Sequence, residues 1–316
     1  MAAALRISFC CTDTQAAPWL DALHQALPEA DIQRWQSGAP PADYAVVWAP
    51  PQQFFDEQTA LRAVFNIGAG VDALLRLTIP PALPIVRLDD AGMAVQMAEY
   101  VCHALLRHLR EGDAYQEQQH QAQWVQRAPR SRADYPVGIL GLGVLGQRVA
   151  QAVAHFGFPV RGWSRTPASG LALAGLPDFQ AFAGAETLDD FLAASRVLVC
   201  LLPLTEATRD LLDHRRLGRL HAGGYVINVA RGALIIEDDL LALIDTGHLA
   251  GATLDVFRTE PLPGDHPFWK HPKITVTPHI SARTLLSESV RQIADKLRLL
   301  EQGIPVPGTV DRQRGY

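Results

Sequence analysis

The sequence predicts an α/β fold in which helices flank parallel sheets, and two observations carry this prediction. Short apolar runs, each long enough for a buried strand, recur along the chain and alternate with longer amphipathic segments. The chain has 316 residues, of which 48% are hydrophobic and 19% charged, so it can bury the cores of about two domains.

The candidate strands fall into two groups separated by a long helical stretch. The first group is LRISFCC, YAVVWAP, VFNIG and IVRLD; the second is VGILG, VRGWS, VLVCLL, YVINVA, TLDVF and ITVTP. Apolar residues recur at helical spacing in residues 97–115 and again in residues 288–303. This grouping predicts a discontinuous first domain, residues 1–99 plus 284–316, and an inserted second domain, residues 100–283.

Composition excludes several classes of function. The net charge is −5 with no basic block, which argues against a nucleic-acid partner. No window approaches the roughly 18 consecutive apolar residues of a membrane span, and the first residues are typical of a strand rather than a signal peptide. The four cysteines match neither a metal knuckle nor a redox pair, and Cys200 in VLVCLL is expected to be buried and inert. We therefore expect a cytoplasmic protein without a metal site.

A glycine-rich turn joins a predicted strand, Val137–Leu140, to a predicted helix, Val144–His155. Gly141, Gly143 and Gly146 form the pattern GxGxxG. Such glycines allow a tight turn, close approach of a pyrophosphate to the backbone, and packing of the helix against the strand. An ordinary strand-to-helix turn is the alternative. In the dinucleotide interpretation, Val144 and Leu145 belong to the cofactor site with the glycines.

The end of the next strand indicates which dinucleotide binds. An NAD site usually has an acidic residue there for the ribose hydroxyls, but this chain has Ser164, Arg165 and Thr166. The nearest acid, Asp178, follows a loop broken by Gly and Pro. A guanidinium attracts the 2′-phosphate that a carboxylate would repel, so the stretch predicts an NADP site. The alternative is that Arg165 is only a solvated loop charge.

Three polar residues follow three later strands and are the candidate catalytic group. Arg231 follows YVINVA, Glu260 follows TLDVF, and His279 follows ITVTP. Ligands of open α/β sheets gather at the carboxyl ends of strands, so these residues can converge. Singly, they could also be a surface charge, a turn carboxylate and a capping imidazole. His266 and His271, in the loop GDHPFWKHPKI, are interpreted as ordinary structural residues.

The glycine turn, VARG, LDVFRTEPLP and TPHI, in this order and spacing, resemble the D-isomer-specific 2-hydroxyacid dehydrogenases over nearly the whole chain. Within that family, NIGAGVD, GWSR and the tail VDRQRGY resemble the bacterial members that reduce glyoxylate and hydroxypyruvate. The resemblance implies two Rossmann-like domains with the active cleft between them. The first would be a flavodoxin-like substrate domain, and a homodimer would form through the nucleotide-binding domains.

The resemblance also implies roles for individual residues. Arg231 would hold the carboxylate and carbonyl oxygen of a 2-oxo acid, because its planar fork can bind both. His279 would donate the proton, with Glu260 orienting it and favouring its charged form. In the turn 68–70, the backbone N–H groups of Ala69 and Gly70 would bind the same carboxylate.

Three further assignments follow from the resemblance. Asp255 matches the family residue that bonds the nicotinamide amide, and Pro203 lies in a loop along the cofactor. Trp48, after the apolar pair Val46 and Val47, is either a wall of the substrate pocket or a core residue.

The expected activity is NADPH-preferring reduction of glyoxylate to glycolate and of hydroxypyruvate to D-glycerate, with NADH less favoured. Alternatives within the family are another short-chain 2-oxo acid or phosphoglycerate as substrate. For phosphoglycerate, the stretches IGAGVDALLRL and VRLDDAG offer only Arg76 and Arg87 as basic partners. A nucleotide-sensing binding protein is the alternative from another class, since such proteins share this fold and even the three catalytic residues.

Overall fold

The computed structural model describes residues 5–12, 14–167, 173 and 175–316, and the chain divides into two compact units. The first unit comprises Met1–Met93 and Arg283–Tyr316, and the second comprises Ala94–Ala282. The first boundary therefore precedes the helical stretch 97–115, whereas the sequence-based boundary falls within it.

The first unit contains a parallel sheet in the strand order β2-β1-β3-β4-β5. The strands are β1 (Arg6–Cys11), β2 (Asp31–Arg34), β3 (Tyr44–Trp48), β4 (Ala63–Asn66) and β5 (Ile85–Arg87). This order is that of the flavodoxin-like sheets.

The second unit contains a larger parallel sheet in the order β12-β11-β10-β9-β6-β7-β8. The strands are β6 (Val137–Leu140), β7 (Val160–Ser164), β8 (Phe179–Ala183), β9 (Val197–Cys200), β10 (Gly224–Asn228), β11 (Leu249–Leu254) and β12 (Ile274–Val276). The chain starts at β6 near the middle, builds outward to β8, and then returns to build the other half from β9. The direction of winding thus reverses between β6 and β9.

Helices connect the strands of both sheets. They are α1 (Ala16–Ala26), α2 (Gln52–Glu57), α3 (Asp72–Leu75), α4 (Met93–Leu109), α5 (Gly112–His120), α6 (Val144–His155), α7 (Leu188–Ala193), α8 (His214–Leu217), α9 (Glu237–Asp245) and α10 (Leu286–Glu301). Among the described helices, none combines the length and apolarity needed to cross a membrane.

Helices cover both faces of each sheet, because successive residues along a strand pack into different hydrophobic cores. In β1, Ile7 and Phe9 pack in a core with α1 and α10, whereas Cys10 packs in a second core with α2 and α3. In β6, Val137 and Ile139 pack with α4 and α6, while Leu140 packs with α7, α8 and α9. Because successive side chains of a strand point to opposite faces, each central strand contributes to two cores. The predicted α/β class with parallel, helix-flanked sheets is confirmed.

Several elements differ from the sequence-based predictions. The predicted strand TLDVF is displaced: β11 is Leu249–Leu254, so only Thr253 and Leu254 of that run lie in it, and residues 255–257 belong to the following loop. The stretch 97–115 is interrupted where Glu111 adopts φ 57°, so that α4 ends at Leu109 and α5 begins at Gly112. Strands β2 and β8 were not predicted, and both lie at sheet edges. The expected burial of Cys200 is confirmed, since its exposed fraction is 0%.

Candidate active site

Every candidate residue of the second unit lies at or after the carboxyl end of a strand. The glycine turn follows β6, Ser164 ends β7, and Pro203 follows β9. The polar residues of the catalytic group follow the last three strands: Arg231 after β10, Asp255 and Glu260 after β11, and His279 after β12. Because the strands are parallel, these loops share one edge of the sheet, where ligands of open α/β sheets bind.

The glycine turn has the geometry of a nucleotide-binding turn. Gly141 has φ +113°, and a Cβ there would lie 3.0 Å from the carbonyl of Leu201, in the loop after β9. A Cβ at Gly146 would overlap the carbonyl oxygen of Gly141. These two glycines are therefore required by the fold itself, at the point where the winding of the sheet reverses.

Gly143 is different, because a Cβ there would meet no described atom within 4 Å. It is the N-cap of α6, and the next residue, Val144, is 54% exposed. The open space lies at the N-terminus of a 12-residue helix, where backbone N–H groups and the helix dipole favour a phosphate. The residues present therefore fit the pyrophosphate of a dinucleotide.

Two loops flank this turn. After β9, the hydroxyl of Thr208 donates to the carbonyl of Pro203 over 2.7 Å and accepts from the N–H of Thr205 over 2.8 Å. These bonds fix the loop that was predicted to run along the cofactor.

At the end of β7, the hydroxyl of Ser164 donates to the carbonyl of Thr166 over 2.8 Å, and Arg165 between them is exposed. Asp178 lies at the opposite end of the strand, where its carbonyl accepts from the N–H of Val160 and its carboxylate pairs with Arg161 at 3.1 Å. Residues 164–167, at the carboxyl end of β7, include no acidic residue.

Arg231 is held by the turn that follows β10. The side chain of Asn228 donates to the carbonyl of Arg231 over 3.0 Å and accepts from the N–H of Ala230 over 3.2 Å. The next residue, Gly232, packs so closely that a Cβ there would overlap the backbone at Phe257 and Arg258. This close approach brings the loop of Arg231 against the loop that carries Glu260.

Glu260 and His279 form a hydrogen-bonded pair. The Nδ1 atom of His279 lies 2.8 Å from Oε2 of Glu260, while Oε1 of Glu260 accepts from the N–H of Phe257 over 2.9 Å. Burial raises the pKa of the Glu260 carboxyl, but the bonds from His279 and Phe257 and the nearby charge of Arg231 outweigh it and lower that pKa below its usual range. Glu260 is therefore ionised at neutral pH, and Nδ1 is the ring nitrogen of His279 that contacts it.

The histidines interpreted as structural have structural partners. His266 accepts at Nδ1 from the N–H of Phe268, and His271 lies 3.1 Å from Asp245 and precedes β12.

Comparison with known proteins identifies the family of this chain. The family model described as the D-isomer specific 2-hydroxyacid dehydrogenase NAD binding domain matches residues 102–281. A protein named glyoxylate/hydroxypyruvate reductase A from Yersinia enterocolitica is 45% identical over 309 residues, which are 96% of this chain and 97% of that one. The chain belongs to the D-isomer specific 2-hydroxyacid dehydrogenase family.

Solved structures of this family match along the whole chain. A D-isomer specific 2-hydroxyacid dehydrogenase from Xanthobacter autotrophicus, in complex with NADPH and MES, is 40% identical with a TM-score of 0.93, covering 99% of this chain and all of that one. An NADPH-dependent glyoxylate/hydroxypyruvate reductase from Sinorhizobium meliloti, in complex with NADP and sulfate, is 33% identical with a TM-score of 0.91 and the same coverage. Family membership makes this chain an NAD(P)-dependent oxidoreductase.

In this 2-hydroxyacid dehydrogenase, Asp255 has a role beyond the nicotinamide contact predicted for it. Its carboxylate is fully buried and accepts from the N–H groups of Ile280 and Ser281 over 2.8 and 2.7 Å, and from the hydroxyl of Thr277 over 2.5 Å. It thus holds the loop on both sides of His279. The predicted bond to the nicotinamide stays a prediction.

In the first unit, Trp48 lies directly against the glycine turn that follows β4. A Cβ at Gly68 would overlap the Trp48 ring, which is half-buried. The side chain of Asn66 donates to the carbonyls of Gly68 and Gly70 over 2.9 and 3.0 Å and so shapes the turn. Trp48 and the predicted substrate-binding residues Ala69 and Gly70 therefore belong to one local structure.

Sequence reasoning missed the asparagines that shape these loops. Asn66 ends β4 and Asn228 ends β10, and both are almost completely buried. A polar residue that ends an apolar run, as in VFNIG and YVINVA, was the available signal.

Proposed function

We propose that this dehydrogenase reduces small 2-oxo acids, glyoxylate to glycolate and hydroxypyruvate to D-glycerate, with NADPH as the preferred cofactor. The observation that carries the proposal is the Glu260–His279 pair, 2.8 Å apart, with the charge of Arg231 close enough to lower the pKa of Glu260. The names of the relatives from Yersinia enterocolitica and Sinorhizobium meliloti support glyoxylate and hydroxypyruvate as substrates.

The three side chains can perform the proton chemistry of this reduction. When bound, NADPH supplies the hydride that reaches the carbonyl carbon. Arg231 binds the carboxylate and polarises the carbonyl oxygen. His279 donates the Nε2 proton to that oxygen and retains its Nδ1 proton, which the Glu260 carboxylate accepts as a hydrogen bond. The product is the 2-hydroxy acid, and the imidazole is left neutral.

The turn of the first unit is proposed to bind the same substrate. The backbone N–H groups of Ala69 and Gly70 would donate to its carboxylate. The Trp48 ring against Gly68 would limit the length of the chain at C3, which fits a two- or three-carbon acid. A spectrophotometric screen of 2-oxo acids of increasing length, with NADPH and NADH, tests substrate class directly; absence of turnover with every acid would refute the proposal.

Cofactor choice is proposed to depend on the end of β7. Arg165 is exposed there, no acid lies in residues 164–167, and Asp178 is engaged with Arg161 at the far end of the strand. The complexes of the Xanthobacter and Sinorhizobium proteins with NADPH and NADP support the same choice.

Arg165→Ala is expected to lower kcat/KM for NADPH and leave that for NADH almost unchanged, since only NADPH has a 2′-phosphate. A hydrogen bond to a charged group contributes roughly 1.5–3 kcal/mol, on the order of 10- to 150-fold in preference. Arg165→Asp should reduce the NADPH/NADH ratio further by repelling the phosphate. The measurement is that ratio in the wild type and both variants. A wild-type ratio near one, or a ratio indifferent to both changes, would make Arg165 an ordinary loop charge.

We further propose that the protein is a cytoplasmic homodimer joined through its second units. Trp124 is 96% exposed and Val125 58% exposed, in a segment that follows α5. Exposed apolar side chains of this size indicate an interface, and two-fold homodimers are the commonest assembly.

The proposed cytoplasmic location rests on the cysteines. The four cysteines are free and buried, which supports a reducing compartment.

Trp124→Ser is expected to shift the protein from dimer to monomer at micromolar concentration, as measured by light scattering. Phe156→Ser, at a 42% exposed aromatic residue that follows α6, is the matched control and should leave the mass unchanged. A monomeric wild type, or a Trp124→Ser variant of wild-type mass, would contradict the proposed interface.

A further inference from the structure

A chain of hydrogen bonds connects helix α4 to the loop that carries His279. The hydroxyl oxygen of Tyr100, on α4, lies 2.5 Å from Oγ1 of Thr277, the residue that follows β12. The Thr277 hydroxyl donates over 2.5 Å to Oδ1 of Asp255, the residue that follows β11. The same Oδ1 accepts the N–H of Ile280, next to His279.

The direction of these bonds is fixed by counting protons. Thr277 has one hydroxyl hydrogen, and it is given to the Asp255 carboxylate, which can only accept. Tyr100 must therefore donate to Thr277. Burial, together with the Asp255 charge, raises the pKa of Tyr100 to about 12, so the phenol keeps its proton at any working pH.

His279 depends on Asp255 for its backbone conformation. It has φ +54°, a region that residues other than glycine rarely adopt. Its N–H donates to the carbonyl of Asp255 over 2.9 Å, and the Asp255 carboxylate binds the next two N–H groups. A rotation of the Asp255 side chain would therefore release the strained turn and move the imidazole relative to Glu260.

We propose that Tyr100 is a positioning residue for His279, acting through Thr277 and Asp255. This inference rests on the proposed function, in which His279 donates the proton. Tyr100 supplies an anchor from outside the loop. The donors to the Asp255 carboxylate, Thr277, Ile280 and Ser281, all lie in the loop and would move with it. Tyr100 instead holds Thr277 from α4, which is packed in the core through Val101 and Leu105.

The test uses Tyr100→Phe, which removes only the hydroxyl, and Thr277→Val, which breaks the same chain one step later. Tyr225→Phe is the matched control, because Tyr225 also bonds a threonine hydroxyl, that of Thr253 at 2.8 Å, rather than that of Thr277. One buried hydrogen bond corresponds to roughly 2- to 12-fold, so kcat should fall about that much in both test variants with KM for NADPH unchanged. In the double variant the loss should not exceed that of the larger single change, since both act through one chain.

The ring nitrogens of His279, followed by NMR in the substrate-free protein, separate this proposal from the proposed function. Tyr100→Phe should change both ring-nitrogen signals, and Tyr225→Phe should not. Changed signals with a lower kcat support the positioning role and the proton donor together. Changed signals with a wild-type kcat support the positioning role and remove His279 from the chemistry. Signals identical to those of the wild type would overturn the proposal, even if the variant lost thermal stability.

Discussion

Replacing Arg231 by alanine is expected to lower kcat/KM for glyoxylate by roughly 30- to several-thousand-fold. Truncating one partner of a buried, hydrogen-bonded charge pair costs about 2–5 kcal/mol, at ~1.4 kcal/mol per tenfold change. The substrate carboxylate would lose its guanidinium partner, and the carbonyl oxygen would lose its polarising donor. The measurement is the steady-state kcat/KM with saturating NADPH.

NADPH binding, measured separately by fluorescence titration, should survive this substitution. Arg231→Lys keeps the charge but not the planar fork, so its activity should lie between those of the wild type and the alanine variant. The matched control is Arg219→Ala. Arg219 precedes β10 at its amino end, whereas Arg231 follows the same strand at its carboxyl end. Near-wild-type kcat/KM in Arg231→Ala would remove this residue from the mechanism.

The central strands could be predicted from the sequence because burial leaves a readable pattern. Strands β1, β3, β6 and β9 are covered on both faces, so nearly all of their residues are buried and most are apolar. The edge strands β2 and β8 are paired on one side only and carry exposed polar residues, as in DIQR, so no apolar run marks them. The error at TLDVF has a related cause: residues 255–257 are buried, but in a loop.

The candidate catalytic group could be predicted because its members follow strands of one parallel sheet. Each of the three, Arg231, Glu260 and His279, comes shortly after an apolar run. The strands before them, β10, β11 and β12, are adjacent and parallel, so their carboxyl ends lie at the same edge of the sheet. What holds them in place could not be predicted. The bond from Tyr100 to Thr277 joins residues 177 positions apart, and the packing of Gly232 on Phe257 depends on register between β10 and β11. Neither has a local sequence signal.

Replacing His279 by alanine is expected to lower kcat by roughly 10²- to 10⁴-fold, the usual contribution of a general acid. The imidazole lies 2.8 Å from the Glu260 carboxylate, which aligns it, and imidazole is the side chain that most often serves as a general acid. His271→Ala is the matched control. His271 precedes β12, whereas His279 follows it, and the partner of His271 is Asp245 rather than Glu260. Equal activity in the two variants would mean that another group supplies the proton.

The pH profile of Glu260→Gln tests the same assignment through its partner. The lowered pKa of Glu260 keeps the carboxylate ionised at neutral pH, and an anion at 2.8 Å favours the charged imidazole that must donate the proton. Wild-type reduction should therefore be fastest at lower pH and decline as pH rises and the imidazolium is lost. Glutamine can still accept the Nδ1 hydrogen bond but carries no charge, so in the variant the decline should begin at lower pH. The measurement is kcat/KM for glyoxylate across the pH range in both proteins, and superimposable profiles would show that the pair is not coupled in catalysis.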